Sequence, residues 1–174
     1  EPCEIVLLGE EHHAPYDRVH LSSYVEGATA ADLTLVTAEM VADPMVALRF
    51  GTGVASLDTA GHTVTLTNGE VLTYDQLVLA TGSTPFVPPI DGRDREGCFV
   101  YRTLDDLDAI RERAADARHG VVIGGGLLGL EAANALKGLG IEAAVVEFAP
   151  RLMPVQLDDG VLYLDLGHAF ASRC

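Results

Sequence analysis

The sequence predicts an α/β protein made of two β-α-β units with an antiparallel β-meander between them. Three observations predict it. A short β-branched run, Val121-Val122-Ile123, is followed by clustered glycines, a helical stretch over residues 127–139 and a second apolar run over 143–146. That alternation of strand and helix builds parallel sheet. The chain opens on another apolar run, residues 5–8, which ends at a glycine and an acid. Between the two lie several short, β-branched segments broken by Asn-Gly and Asp-Thr-Ala-Gly, the spacing of hairpins.

Each element can be justified in order. Ile5-Val6-Leu7-Leu8 closing on Gly9-Glu10 has the form of the second strand of a β-α-β unit. No glycine-rich loop precedes it, and a complete unit needs about 30 residues upstream. The sequence is therefore expected to be incomplete at its N-terminus. Residues 11–30 read as a polar, turn-rich loop leading to a short helix. Segments 46–50, 54–57, 63–67 and 71–74 read as the strands of the meander. Asn68-Gly69 is placed as a type I′ turn, which needs positive φ at both central residues, and residues 58–61 form another turn. Residues 77–80, Leu-Val-Leu-Ala, read as a buried strand opening into Thr81-Gly82-Ser83-Thr84-Pro85. The C-terminal edge of a parallel sheet is where ligands sit, although a plain proline-rich turn fits the same residues. Leu104, Leu107, Ile110 and Ala114 have helical spacing with charges between them, which predicts an amphipathic helix over 104–117. His119-Gly120 then leads into the glycine cluster.

That cluster, VVIGGGLLGLEAANALKGLGIEAAVVE over 121–147, contains G-x-G-x-x-G at Gly124, Gly126 and Gly129. With 18 glycines in 174 residues the motif alone is weak, and an ordinary strand–helix turn would also explain it. The context carries the weight. A buried-type strand precedes it, and Ala132, Ala133 and Ala135 allow close helix–sheet packing. Gly138 and Gly140 stop the helix, and Glu147 falls 21 residues beyond Gly126. In a dinucleotide-binding unit the first glycine allows the tight turn, and the second lets the backbone approach the pyrophosphate. The third brings helix and strand together, while the acid bonds a ribose 2′-hydroxyl. The phosphates lie at the helix start, Leu127 and Leu128, against free N–H groups and the positive end of the helix dipole.

Composition narrows the function. A formal net charge of −15 argues against a nucleic-acid surface, which would be repelled. No apolar run approaches the ~20 residues of a bilayer span, and Glu1-Pro2-Cys3 is not the basic start of a signal peptide. A soluble, cytoplasmic protein is expected. Cys3, Cys98 and Cys174 are far apart and form no C-x-x-C, so reduced structural thiols are expected, with no metal site.

Two ribose-type acids, a T-G-S-x-P stretch between them and a full fingerprint resemble the two-dinucleotide flavoproteins, the pyridine nucleotide–disulfide oxidoreductases. Within that family, "APYDRVHLSSY", "LVLATGSTPFVPPIDG", "CFVYRTLDDLDAI" and "GGGLLGLEAANALKGLGIEAAVVEFAPRLMPVQLDD" look like the flavin domain of assimilatory NAD(P)H nitrite reductase large subunits. The likeness runs from about residue 4 to 159. It implies an FAD-binding domain over 1–112 and an NAD-binding domain over 113–174, both Rossmann-like and both truncated. By motif, Glu10 would hold the FAD adenosine ribose, Arg18 would contact the flavin side, and Thr81 and Gly82 would lie against the FAD diphosphate. Gly124, Gly126, Gly129 and Glu147 would bind NADH, with Glu131 near the nicotinamide as a positioner. No side chain is nominated as a catalytic acid or base, because the cofactors carry the chemistry.

Glu147 should repel a 2′-phosphate, so NADH is expected over NADPH, with Arg151 close enough in sequence to soften that preference. Three departures stand out. Ser23 occupies the place where relatives put a lysine beside the flavin, so a Lys–Glu131 pair is not expected. The FAD pyrophosphate loop is missing. The tail GVLYLDLGHAFASRC does not continue the family pattern, and any sirohaem and iron–sulfur centre would belong to absent regions.

The leading expectation is an electron-input module in which NADH delivers hydride to the N5 of FAD. Electrons then pass to a downstream redox domain or subunit that reduces nitrite to ammonia. The alternatives are a chain that holds a nucleotide and transfers nothing, and a flavin reductase feeding a ferredoxin-like partner. Truncated sheets would expose apolar edges, so pairing with a second copy or aggregation is expected.

Overall fold

In the computed structural model, which describes residues 3–153, the first two strands found are Ile5–Leu8 (β1) and Val46–Arg49 (β2). They run parallel, in register from Ile5 opposite Val46 to Leu8 opposite Arg49. The distinctive tail at 160–174 lies outside the described residues. Contacts divide the chain into two units, one formed by the segments up to Asp17 and from Thr29 to Thr84. The other is formed by Arg18–Ala28 and the chain from Pro85 onward.

In the first unit, β2 belongs with β1 and not with the meander where the sequence pattern placed it. Parallel strands need a long crossover, and the residues between them supply one. The crossover includes a helix the sequence pattern did not reveal, Ala38–Ala42 (α2), whose N-cap Thr37 accepts from the N–H of Met40 at 3.2 Å. The meander is otherwise as expected. Val54–Asp58 (β3), Thr63–Leu66 (β4) and Val71–Thr73 (β5) form an antiparallel sheet in that order. Turn 58–61 is held by Asp58, whose carboxylate accepts from the N–H groups of Ala60 and Gly61, each at 2.9 Å.

The β4–β5 turn differs from expectation. Only Gly69 has positive φ, +88°, while Asn68 does not, so the turn is not type I′. The Gly69 N–H bonds the Leu66 carbonyl at 2.9 Å and the Leu66 N–H bonds the Glu70 carbonyl at 2.8 Å. This is the arrangement of a β-turn followed by one left-handed glycine. Asn68 instead accepts the Glu70 N–H with its side chain at 3.0 Å. Arg49 reaches Glu70 with both guanidinium nitrogens, tying β2 to the meander. Tyr16, Leu33, Val64 and Leu66 are the buried apolar residues of this unit.

Residues 77–80 are not a strand, contrary to expectation. Val78 is 85% and Leu79 70% exposed. A run that is apolar on both faces suits the centre of a parallel sheet, but none of the described strands lies beside it to form a ladder.

Among its described residues the second unit holds three further helices. A 3-10 turn, Arg18–His20, leads into Leu21–Val25 (α1). Leu104–Ala114 (α3) begins at a capping box: Thr103 accepts from the Asp106 N–H at 3.1 Å and Asp106 accepts from the Thr103 N–H at 2.8 Å. Leu127–Gly138 (α4) connects two parallel strands, His119–Ile123 (β6) and Glu142–Val146 (β7). Tyr24 donates to Asp108 at 3.0 Å, joining α1 to α3. Leu21, Val25, Leu104, Leu107, Ala135 and Ile141 are buried, with Leu104 and Leu107 fully so. Removing one such leucine from water is worth about 1.5–3 kcal/mol.

β6 and β7 alternate strictly. Gly120, Val122, Ala143 and Val145 face inward, and a Cβ on Gly120 would lie 2.9 Å from Leu136 of α4. The other face is open, with Val121 64% and Ile123 63% exposed. The expected fully buried strand is thus covered on one side only. No described helix is long and apolar enough to cross a membrane.

Candidate functional site

The site grows from the end of β6. Gly124, at φ +114°, turns the chain sharply, in a conformation that L side chains rarely adopt. Gly126 then caps α4 in extended backbone, with no side-chain cap. The N–H groups at the helix start, from Leu127 onward, are therefore left to a ligand or solvent. A Cβ built on Gly124 or Gly126 would meet nothing within 4 Å, whereas one on Gly129 would lie 1.9 Å from the Gly124 carbonyl oxygen. The three glycines thus have separate jobs. Two leave room beside the turn, and the third lets α4 sit directly on the end of β6. That is the cradle a pyrophosphate needs, so the residues present fit a dinucleotide here.

Glu147 stands at the end of β7, where the spacing placed it. Its Oε2 accepts from the Gly125 N–H at 2.5 Å and its Oε1 from the Ala149 N–H at 2.8 Å. These N–H groups, with that of Ala149 contributing most, hold the carboxyl below the usual glutamate range, so it is a carboxylate at neutral pH. The Met153 N–H bonds the Gly125 carbonyl at 2.8 Å, closing the same turn from the other side. A Cβ on Gly125 would meet Leu152 at 2.5 Å and Glu147 at 3.0 Å. Gly125 was not singled out from the sequence, because the fingerprint counts only the glycines on either side of it. The triple glycine was the available signal.

Leu127 and Leu128 are exposed at the start of α4. Glu131 follows on the next turn, half-buried. Tyr101, which carried no signal in the sequence, has a hydroxyl oxygen buried without a hydrogen-bond partner among the described residues. Burial chiefly, and then the charges of Glu131 and Glu26, push its pKa up to about 12.

The remaining predicted residues are on other segments of the two units. In the second unit, Arg18 donates from Nη1 to the Arg102 carbonyl at 2.9 Å. In the first unit, Glu10 is exposed just beyond β1, with its Cγ 3.6 Å from where a Gly53 Cβ would stand. Thr81 and Gly82 are exposed in irregular chain, with Gly82 at φ +67°. Among the described residues of this unit no second glycine cradle opens a helix. For FAD this unit offers an exposed acid just beyond β1 and, at Thr81-Gly82, exposed backbone with a positive-φ glycine. Cys3 and Cys98 are free and exposed, and no described cluster of His, Cys, Asp and Glu is arranged to hold a metal.

Strand, glycine turn, helix, parallel strand and terminal acid together define a β-α-β unit of the dinucleotide-binding class. The chain belongs to the family described as pyridine nucleotide-disulphide oxidoreductase, which matches residues 1–161. It is 59% identical over 156 residues to the nitrite reductase [NAD(P)H] large subunit of Klebsiella oxytoca, covering 90% of this chain and 16% of that one. It is 46% identical over 155 residues to the nitrite reductase (NADH) large subunit of Escherichia coli, covering 89% and 18% respectively. The chain therefore spans less than a fifth of the length of these two relatives. Among solved structures it is similar to a ferredoxin reductase from Rhodopseudomonas palustris, with a TM-score of 0.83 and 32% identity. That match covers 92% of this chain and 40% of the other.

Proposed function

We propose that this chain is part of an NADH-dependent flavoprotein oxidoreductase, an electron-input module of the nitrite reductase large-subunit type, with an FAD-binding half over 1–112 and an NAD-binding half over 113–174. One observation carries the reading. The turn at 124–129 is built for a pyrophosphate, with Glu147 held ionised at its rim. The bound nicotinamide nucleotide supplies the reducing equivalents, and the chain's residues hold and orient it. Gly124, Gly126 and the N–H groups of Leu127 and Leu128 receive the phosphates. Gly129 seats the helix, Glu147 takes the adenosine ribose, and Glu131 positions the nicotinamide end. A carboxylate at 147 selects NADH over NADPH, because a 2′-phosphate would meet like charge.

For FAD, the reading assigns Glu10 to the adenosine ribose, Thr81 and Gly82 to the diphosphate and Arg18 to the flavin side. It rests on the family and on the identity to nitrite reductase large subunits. A downstream redox domain or subunit would receive the electrons, with nitrite as the final acceptor. A reductase serving a ferredoxin-like partner is the second reading, supported by the likeness to the ferredoxin reductase fold.

The test is the visible spectrum of the purified chain after incubation with FAD and then, anaerobically, NADH. A bound flavin bleached by NADH supports the electron-input reading. A colourless protein that still quenches or shifts NADH fluorescence reduces it to a nucleotide-holding piece. No response to NADH at all refutes the assignment of the turn.

A further inference from the structure

The chain beyond β7 makes a small closed loop on the glycine turn. Residues 147–153 leave the strand and come back, and both ends of the loop are fastened to one residue, Gly125. At its start the Gly125 N–H donates to Glu147 Oε2 at 2.5 Å, and at its end the Met153 N–H donates to the Gly125 carbonyl at 2.8 Å. Both backbone polar groups of Gly125 are thus engaged by the loop.

Leu152 supplies the packing that accompanies these bonds. Its Cδ2 lies 2.5 Å from where a Gly125 Cβ would stand, and the Cβ and Oε2 of Glu147 lie 3.0 and 3.1 Å from the same point. The two side chains therefore crowd a space that is open only because residue 125 carries none. Leu152 is half-buried, while Phe148 at the outer bend is fully exposed. Met153 has φ +48°, a conformation that L side chains rarely adopt and that persists where the surroundings hold it.

We infer that Leu152 is a positioning residue for the nucleotide. Seated on Gly125, it keeps loop 147–153 closed on the turn and so holds the Glu147 carboxylate where the ribose is to meet it. This rests on the nucleotide reading given above and adds a residue to that same site. Leu152 acts through Gly125 and Glu147 and is assigned no contact with the nucleotide.

Two measurements on the full chain test it. Because Leu152 is half-buried, its truncation leaves no enclosed cavity and Leu152→Ala should fold. The first measurement, amide hydrogen exchange, needs no ligand. Exchange at Gly125 should quicken roughly tenfold in Leu152→Ala, the scale of one hydrogen bond to a charged group, and exchange at Met153 should quicken with it. Gly124, whose N–H bonds the Val146 carbonyl at 2.8 Å, should not change. Leu152→Met, a volume-conserving swap, should keep wild-type exchange at all three. Unchanged exchange at Gly125 in Leu152→Ala overturns the inference. So does an equal quickening at Gly124, which would mean that the end of the sheet had merely loosened.

The second is NADH affinity in a double-mutant cycle. Leu152→Ala should weaken NADH binding roughly tenfold, and it should add nothing in a Glu147→Gln background. Additive losses, or wild-type affinity in Leu152→Ala, overturn the inference while leaving NADH binding intact. A wild-type chain that does not bind NADH refutes the nucleotide reading itself, and the role given to Leu152 falls with it.

Discussion

Gly129 and Gly126 form a matched pair for separating folding from binding. An alanine methyl at 129 would start 1.9 Å from the Gly124 oxygen and 2.9 Å from its carbonyl carbon. To reach a C···O contact of ~3.3 Å, helix and turn must part by roughly 1.4 Å. Both groups are backbone, so no side chain can swing aside. The cost should sit at or above the upper end of the ~1–3 kcal/mol typical of overpacking. At ~2–4 °C per kcal/mol for a chain of this size, Gly129→Ala should lower Tm by roughly 6–12 °C, and NADH binding should fall with the widened turn.

Gly126→Ala meets nothing within 4 Å, in extended backbone that any residue adopts. Its Tm should fall by only about 1–4 °C, the loss of roughly 0.5–1 kcal/mol when alanine replaces glycine at an N-cap. Its methyl occupies the space proposed for the pyrophosphate, so NADH affinity should drop at least tenfold, about 1.4 kcal/mol. Thermal melts and NADH fluorescence titrations on both variants decide the matter. Wild-type melting in Gly129→Ala would refute the packing argument. Undiminished NADH binding in Gly126→Ala would refute the assignment of this space to a ligand.

Two further predictions concern single contacts. Glu147 is held below the usual glutamate value by the N–H groups of Ala149 and Gly125. Its stabilising effect is thus fully present above the unfolded value of about 4.3 and lost as pH falls through the lower folded value. In urea unfolding from pH 7 to pH 3, wild type should lead Glu147→Gln at neutral pH and lose that lead below about pH 4; a constant gap between the two would contradict the contact. Thr103→Ala removes the α3 capping box and should cost about 1 kcal/mol, seen as a drop of ~2–4 °C in Tm, with NADH affinity unchanged.

The sequence carried the second unit well and the first only in part. In β6–α4–β7 every signal is local: an apolar run, glycines at fixed spacing, and an acid at the next strand's end. Chain geometry allows little else once those are set. Signals that depend on a distant partner were misleading. Residues 46–50 read as a short strand like those of the meander, and only their pairing with β1 distinguishes them. Residues 77–80 have the composition of a central strand, but composition supplies no neighbour to bond. Asn68-Gly69 was read by its dipeptide, while the loop length and the Asn68 side-chain bond chose another turn. Tyr101 gave no signal at all, since burial of its hydroxyl follows from tertiary packing and not from local pattern.

The bond from Gly125 to Glu147 also bears on rates. It holds the glycine turn in shape before any ligand arrives, so binding need not order the loop first, and that ordering cost drops out of the affinity. Encounter with a nucleotide should then be limited by diffusion and orientation rather than by rearrangement. Variants around the turn should differ chiefly in how quickly they let the nucleotide go.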